Sequence, residues 1–385
     1  MFFKKILERI FSHTIYQPAN LIKEREILSD TEFNSFLACL KEQVQQQTGM
    51  IVHTGNEQRI VAEIRKKTAE MNVNNVTRTR AYLSYYKRNP EVHWAFLAHM
   101  VSRNGGYYMT DLKSEYLDHL LHTDEGDSYF HFLERCNAYI FNDAYPQLLL
   151  YEYSKKRKTP LFELLRSFHV SVFMRPVWEM FFKNKNSSFI TAAMIINEQK
   201  MLETRVIKGL YKSATLTSDL LFKIQESLGF TAIYFPESNR KNKPLRLKGV
   251  SVTNFSDVDY RIRTGKKLYQ LLFFSKKENP LSLSFASKQE HTGSRADYWG
   301  WLFTNRKKKS AKKLFSPALI DAWKNQQHFF IQKRDWYHNP QAADHLRTLD
   351  EVFNRDMTDH ALGQIAALTT LDHLSEKISS NISSM

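Results

Sequence analysis

Along most of the chain apolar side chains recur at every third or fourth position, the period of a helix with one face buried. In residues 2–11, Phe3, Ile6, Leu7 and Ile10 share one face while Lys4, Lys5 and Arg9 take the other, which predicts a short amphipathic helix. Such a helix either docks on its own domain or lies at a membrane interface. Ser29-Asp30-Thr31-Glu32 reads as a capping box ahead of a helix over 33–47. Asn89-Pro90-Glu91 reads as the start of a helix that carries His93, Trp94, Leu97 and His99 and stops at Gly105-Gly106, with Thr110-Asp111 capping the next one. Asp127-Ser128 opens a long helix through Glu134, Asn137 and Phe141, kinked near Pro146. Further helical stretches are predicted at 161–168, 170–182, 188–211 and 218–228.

The texture then changes. Residues 231–235 are apolar and β-prone, 236–248 form a polar basic loop, and 262–274 turn helical again, interrupted by Gly265. Residues 279–284 read as a linker or short strand, and Ser316-Pro317 as a helix start. Beyond Pro340 the pattern predicts a polar amphipathic helix over 344–357 and a Ser-rich end. The expected fold is mainly α, a multi-helix globular domain with at most a minor short β element near 230–255. It divides into an N-terminal helix and linker (1–28), one helical core domain (29–340) and a peripheral C-terminal tail (341–385). No repeat of solenoid period is visible.

Composition agrees with this and narrows the partners. Of 385 residues 42% are hydrophobic and 13% aromatic, enough for a substantial core, and 12 Gly with 10 Pro are too few for the turns of an all-β fold. No stretch approaches the roughly 20 apolar residues of a membrane span, and the charges in residues 2–11 interrupt any signal-peptide apolar region. Two cysteines, Cys39 and Cys136, make no disulfide framework, so a cytoplasmic setting is expected, with peripheral contact at the inner membrane face through residues 2–11 as the variant. Lys and Arg number 55 against 40 Asp and Glu, a net charge of +15. That field favours anionic partners: nucleic acid, lipid headgroups or phosphorylated ligands. Arg306, Lys307, Lys308, Lys309, Lys312 and Lys313 form a basic run that could track phosphates, with Trp299, Trp301 and Phe303 near enough in sequence to stack on bases. The plainer reading of the run is a solvated loop.

Phosphate loops, dinucleotide-binding glycine patterns, the hydrolase Ser elbow and zinc or di-iron spacings are all missing, so no metal or cofactor is expected. Two polar motifs stand out instead. His99-Met100-Val101-Ser102-Arg103-Asn104-Gly105-Gly106 leads to Thr110-Asp111, and His291-Thr292-Gly293-Ser294-Arg295-Ala296-Asp297-Tyr298-Trp299 has the same makeup of histidine, hydroxyl, arginine and aspartate around glycine. If they converge, His99, Asp111, His291 and Asp297 are catalytic candidates, and Arg103, Asn104, Ser294, Arg295 and Tyr298 are ligand-binding candidates. For any one of these residues a buried network that fixes helix register is the plainer reading. Glycine between His291 and Arg295, however, suits a sharp turn that exposes side chains. Glu91, Glu134, Asp143, Glu198 and Glu203 also lie in otherwise apolar helices, and each such carboxylate needs a partner if buried.

These blocks, with Asn75-Val76-Thr77-Arg78-Thr79, Pro90-Glu91-Val92-His93-Trp94, Met109-Thr110-Asp111-Leu112 and Asp143-Ala144-Tyr145-Pro146-Gln147-Leu148, resemble those of the bacterial family known as domain of unknown function 2515, found in Gram-positive spore-formers. The resemblance covers residues 30–340. It implies a bacterial, cytoplasmic protein and brings no activity, cofactor or catalytic residue. The sequence therefore leads first to a helical binding or scaffold protein for an anionic ligand or surface. An enzyme acting on a phosphorylated or otherwise anionic small molecule through the two motifs is the alternative.

Overall fold

A computed structural model describes residues 20–45, 53–120, 123–208, 232–236, 245–252, 254–275, 279–307, 313–330 and 334–383. The helices expected over 2–11 and 218–228 lie outside these residues, as do Lys308, Lys309 and Lys312.

The chain is mainly α. Two short strands, β1 (Asn20–Ile22) and β2 (Arg25–Glu26), precede α1 (Asp30–Gln45), α2 (Gly55–Met71), α3 (Asn75–Arg88), α4 (His93–Asp111) and α5 (Thr123–Arg157). A 3-10 turn at Phe162–Phe168 leads to α6 (Met174–Asn184) and α7 (Ser187–Leu202), which a π turn extends over Glu203–Ile207. β3 (Ala232–Pro236) stands where the β-prone run predicts a strand, and it pairs antiparallel with β4 (Leu247–Ser251), which begins within the stretch read as a polar loop. Then come α8 (Val258–Phe273), α9 (Asn279–Lys288), the short α10 (Ala296–Trp299), β5 (Phe303–Thr304) paired in parallel with β6 (Leu314–Phe315), and α11 (Leu319–Ala322). A 3-10 turn at Pro340–Leu346, β7 (Thr348–Leu349), β8 (Val352–Asn354) and α12 (Thr358–Ser383) complete the order. β1 pairs antiparallel with β8 and β2 with β7.

α7 is the centre of the packing. Every residue from Phe189 through Asn197 is buried, as a helix that is apolar all round must be, and α4, α5, α6 and α8 surround it. A polar network ties this layer together. Asp143 of α5 accepts from Asn197 Nδ2 at 2.6 Å and Gln147 Nε2 at 2.8 Å. The indoles of Trp178 and Trp336 donate to Gln147 and Asn197, each at 2.9 Å. No helix among the described residues is long and apolar enough to cross a membrane.

Local signals are partly overridden. The Ser29–Glu32 box forms, with the Ser29 amide 2.9 Å from Glu32 Oε2. Asn89 instead caps the C-terminus of α3, and α4 begins at His93 without a side-chain cap. α4 runs straight through Gly105-Gly106, so Thr110 and Asp111 form its last turn rather than the cap of another helix. Burial explains this: nearly all its residues are covered, and tertiary contacts replace the propensity that glycine lacks. Residues 279–288 are helical rather than a linker, and the expected helix over 344–357 is replaced by the 3-10 turn and two short strands.

The sequence reading sets residues 341–385 apart as a tail. In the structure Ala343, Leu346 and Leu349 sit in the main core. Ala361, Leu362 and Ile365 of α12 pack with Tyr107, Tyr298, Trp299 and Phe303 in a second cluster. Trp299 and Phe303 are therefore buried and present no stacking face, while Arg306, Lys307 and Lys313 of the basic run are exposed.

Candidate functional site

His99, Arg103, Tyr107 and Asp111 stand four residues apart on α4, so they share one face. The segment 289–299 crosses that face. It comes close because residue 106 has no side chain: a Cβ there would lie 2.5 Å from both Asn75 Oδ1 and His291 Nε2. Gly293, at the turn, has φ +84°, the left-handed region that favours glycine, and a Cβ would lie 2.8 Å from Leu319 Cβ. Thr110 Oγ1 donates to the Gly293 carbonyl, Ser294 Oγ to the Ser316 carbonyl at 2.6 Å, and the Leu319 amide to the Thr292 carbonyl at 2.8 Å. The turn is held from both sides.

Two buried ion pairs fasten the segment to the helix. Arg295 Nε lies 3.1 and 3.0 Å from the two Asp111 oxygens, and its Nη2 is 2.5 Å from Oδ2. Arg103 donates to the Tyr107 hydroxyl from Nε at 3.2 Å and Nη2 at 3.1 Å, and to the Gln289 carbonyl at 2.8 Å. The Tyr107 hydroxyl passes on to Asp297 Oδ2 at 3.3 Å, which stands 3.6 Å from Arg103 Nη2. Asp297 also accepts from the Thr292 amide at 2.9 Å and hydroxyl at 2.7 Å. Burial opposes charge here, but the partners outweigh it: Arg295 is held well above its ordinary range by Asp111, and Arg103 and the Thr292 amide help hold Asp297 below its own.

The histidines behave oppositely. Burial pushes His291 down to about 4, with Asp297 opposing only in part. Burial, reinforced by Arg103, puts His99 well below the ordinary range. Both rings are neutral at pH 7. His99 Nδ1 lies 2.8 Å from the Thr79 carbonyl and His291 Nε2 lies 2.8 Å from Asn75 Oδ1, so each pairing assigns the proton to that nitrogen. The other nitrogen of each ring is buried with no hydrogen-bond partner among the described residues. Asn104 grips the Tyr234 backbone at both its amide and carbonyl, each at 3.0 Å, and the Tyr298 hydroxyl donates to that carbonyl at 3.2 Å.

The structure thus brings Arg103, Asp111, His291, Arg295 and Asp297 into one cluster, with Asn104, Ser294 and Tyr298 holding its surroundings and His99 one turn away. Chemically the cluster is a set of matched charges that locks a segment to a helix. Its member Tyr107 carries no sequence signal of its own. Asn75 is placed by donating from Nδ2 to the Ser102 carbonyl at 2.9 Å.

A larger opening lies elsewhere. Between α2, α5 and the loop 325–330 is a cleft of about 970 Å³, lined by none of the motif residues. Arg65 and Arg205 both line it, donating to the Ser167 carbonyl at 2.8 Å and the His169 carbonyl at 2.7 Å. His169 is fixed at φ +57°, an uncommon left-handed position for a non-glycine residue. Burial first, then Arg205 and Arg65, lower its pKa, which marks the region as electropositive. Arg205 is partly matched, its Nη1 3.7 Å from Asp143 Oδ1, whereas Arg65 forms no ion pair among the described residues. Asn72, Asn142, His328 and the amides of residues 325–327 belong to the polar lining; no Asp or Glu does, although Glu134 Oε1 lies 3.5 Å from His328 Nε2. Pro146, also in the wall, supplies no N–H to the α5 turn before it. Arg65 and Arg205 are far apart in sequence, so no spacing could have announced this site.

Comparison with known proteins gives a family without a role. Uncharacterized protein YppC of Bacillus subtilis (strain 168) is 34% identical over 323 residues, 83% of this chain and 97% of that protein. No solved structure matches. Residues 70–370 match the family described as Protein of unknown function (DUF2515), a span that takes in both motifs, and the chain belongs to that bacterial family.

Proposed function

We propose that the protein binds a small anionic molecule, phosphorylated or carboxylated, in the cleft of Arg65, His169 and Arg205. In this reading the two motifs hold the fold rather than touch the ligand. The supporting observation is the lining itself: two arginines, two histidines and several side-chain amides with no carboxylate. A concave wall of one charge sign concentrates counter-charge, and a guanidinium free of acidic partners is suited to bind oxyanions. Isothermal titration with pyrophosphate and with citrate, at low and at physiological salt, tests it. Arg65→Gln removes a charged donor worth about 1.5–3 kcal/mol, so affinity should drop about 10- to 100-fold while stability stays near wild type. Absence of binding at millimolar probe, or equal affinity in the variant, rejects the reading.

A further inference from the structure

We infer that the chain holds a second ligand site, an apolar cavity beside α7 that takes a small hydrophobic amine with its ammonium against Glu198. The cavity has a volume of about 230 Å³ and lies between α4, α5, α7 and α8, with Trp94, Phe132, Ile140, Ile195, Leu202 and Leu268 in its wall. It shares no lining residue with the anion cleft, so it stands or falls independently.

The argument rests on charge. Glu198 lines this cavity and forms no ion pair among the described residues; Gln199 Nε2 donates to its Oε1 at 2.8 Å. The one cationic side chain in the lining, Arg261, is committed elsewhere. Its Nη2 lies 2.7 Å from Glu203 Oε2, its Nε lies 2.9 Å from Gln199 Oε1, and its Nη1 donates to the Phe255 carbonyl. A part-buried carboxylate facing a largely apolar wall without a counter-ion is unfavourable, and it is relieved by taking up a proton or a cation. Burial pushes Glu198 up to about 7, with hydrogen bonds from Gln199 and Trp94 opposing, so at neutral pH both remedies are open to it. Size sets the rest. A cavity of about 150 Å³ accommodates benzene, so 230 Å³ has room for one ring with a short aminoalkyl arm.

The probe is 2-phenylethylamine, compared with its neutral counterpart 2-phenylethanol, by calorimetry on the full chain at pH 6 and 8. The expected result is that the amine binds at least about tenfold tighter than the alcohol at pH 8. Its affinity should rise about tenfold from pH 6 to 8 as Glu198 ionises. Glu198→Gln, of nearly the same shape, should abolish the preference for the amine, and Ala98→Leu, which fills the cavity, should abolish binding of both. Equal affinity for amine and alcohol on the unmodified protein overturns the proposal whatever the variants do. So does the absence of amine binding at millimolar concentration, or an affinity unchanged in Ala98→Leu.

Discussion

If the two motifs form a lock, the Arg295–Asp111 pair should show the energetic signature of a buried ion pair. Asp111 is 1% exposed and Arg295 6%, and three short contacts link them. Asp111→Leu leaves the guanidinium buried without its carboxylate, which costs about 3–5 kcal/mol. Arg295→Met strands the carboxylate and should cost about as much. The double variant leaves no charge behind and replaces polar bulk with apolar bulk, so it should lie within about 2 kcal/mol of wild type. Urea denaturation followed by tryptophan fluorescence reads these differences: with m about 3 kcal/mol/M, each single variant lowers the midpoint by about 1–1.7 M and the double by about 0.7 M or less. The cycle should therefore return a coupling of several kcal/mol. Single variants costing under about 1 kcal/mol, or a double variant as unstable as the two singles combined, would refute the lock.

Three further outcomes follow from the same geometry. Gly106→Ala should destabilise by about 1–3 kcal/mol through crowding of Asn75 and His291, although Ala ordinarily stabilises a helix interior; a melting point at or above wild type would contradict it. His291 and His93 both titrate near 4 in the folded protein against an ordinary 6.5. The folded state thus binds fewer protons than the unfolded one between those values, and stability present above pH 6.5 is lost as pH falls toward 4. His291→Gln should flatten that acid limb by up to about 3 kcal/mol in denaturation curves taken from pH 7 to 4. Cys136, buried and pushed up to about 12, should resist a thiol reagent in the native protein and react on unfolding, so rapid native labelling at both thiols would contradict its placement.

Much of the helical order was readable from periodicity, because a stripe of apolar residues at 3.6-residue spacing reports burial directly. The Ser29 box and the strand at 232–236 were readable for similarly local reasons. The continuation of α4 through Gly105-Gly106 was not: glycine marks a helix end only when nothing else requires continuation, and here His291 needs the space a Cβ would fill. Residues 344–357 look amphipathic, yet their apolar positions serve strand pairing with β2 and β1, partners more than three hundred residues away. The convergence of the two motifs could be anticipated from their shared makeup, but not that their charges are matched internally. The cleft of Arg65 and Arg205 left no trace in spacing, because its cations come from separate elements.

The pairing of β1 with β8 and of β2 with β7 also bears on how the protein is made. A ribosome adds about 5–20 residues per second, so the strands ahead of α1 wait tens of seconds before their partners emerge. During that interval their backbone edges are open to other chains, a hazard that chaperone binding or rapid docking of α1 would limit. Contacts of such sequence separation also slow folding. The same closure sets residue 20 beside residue 354 with only α12 still to follow, so these strands can pair only once nearly all of the core has been synthesised.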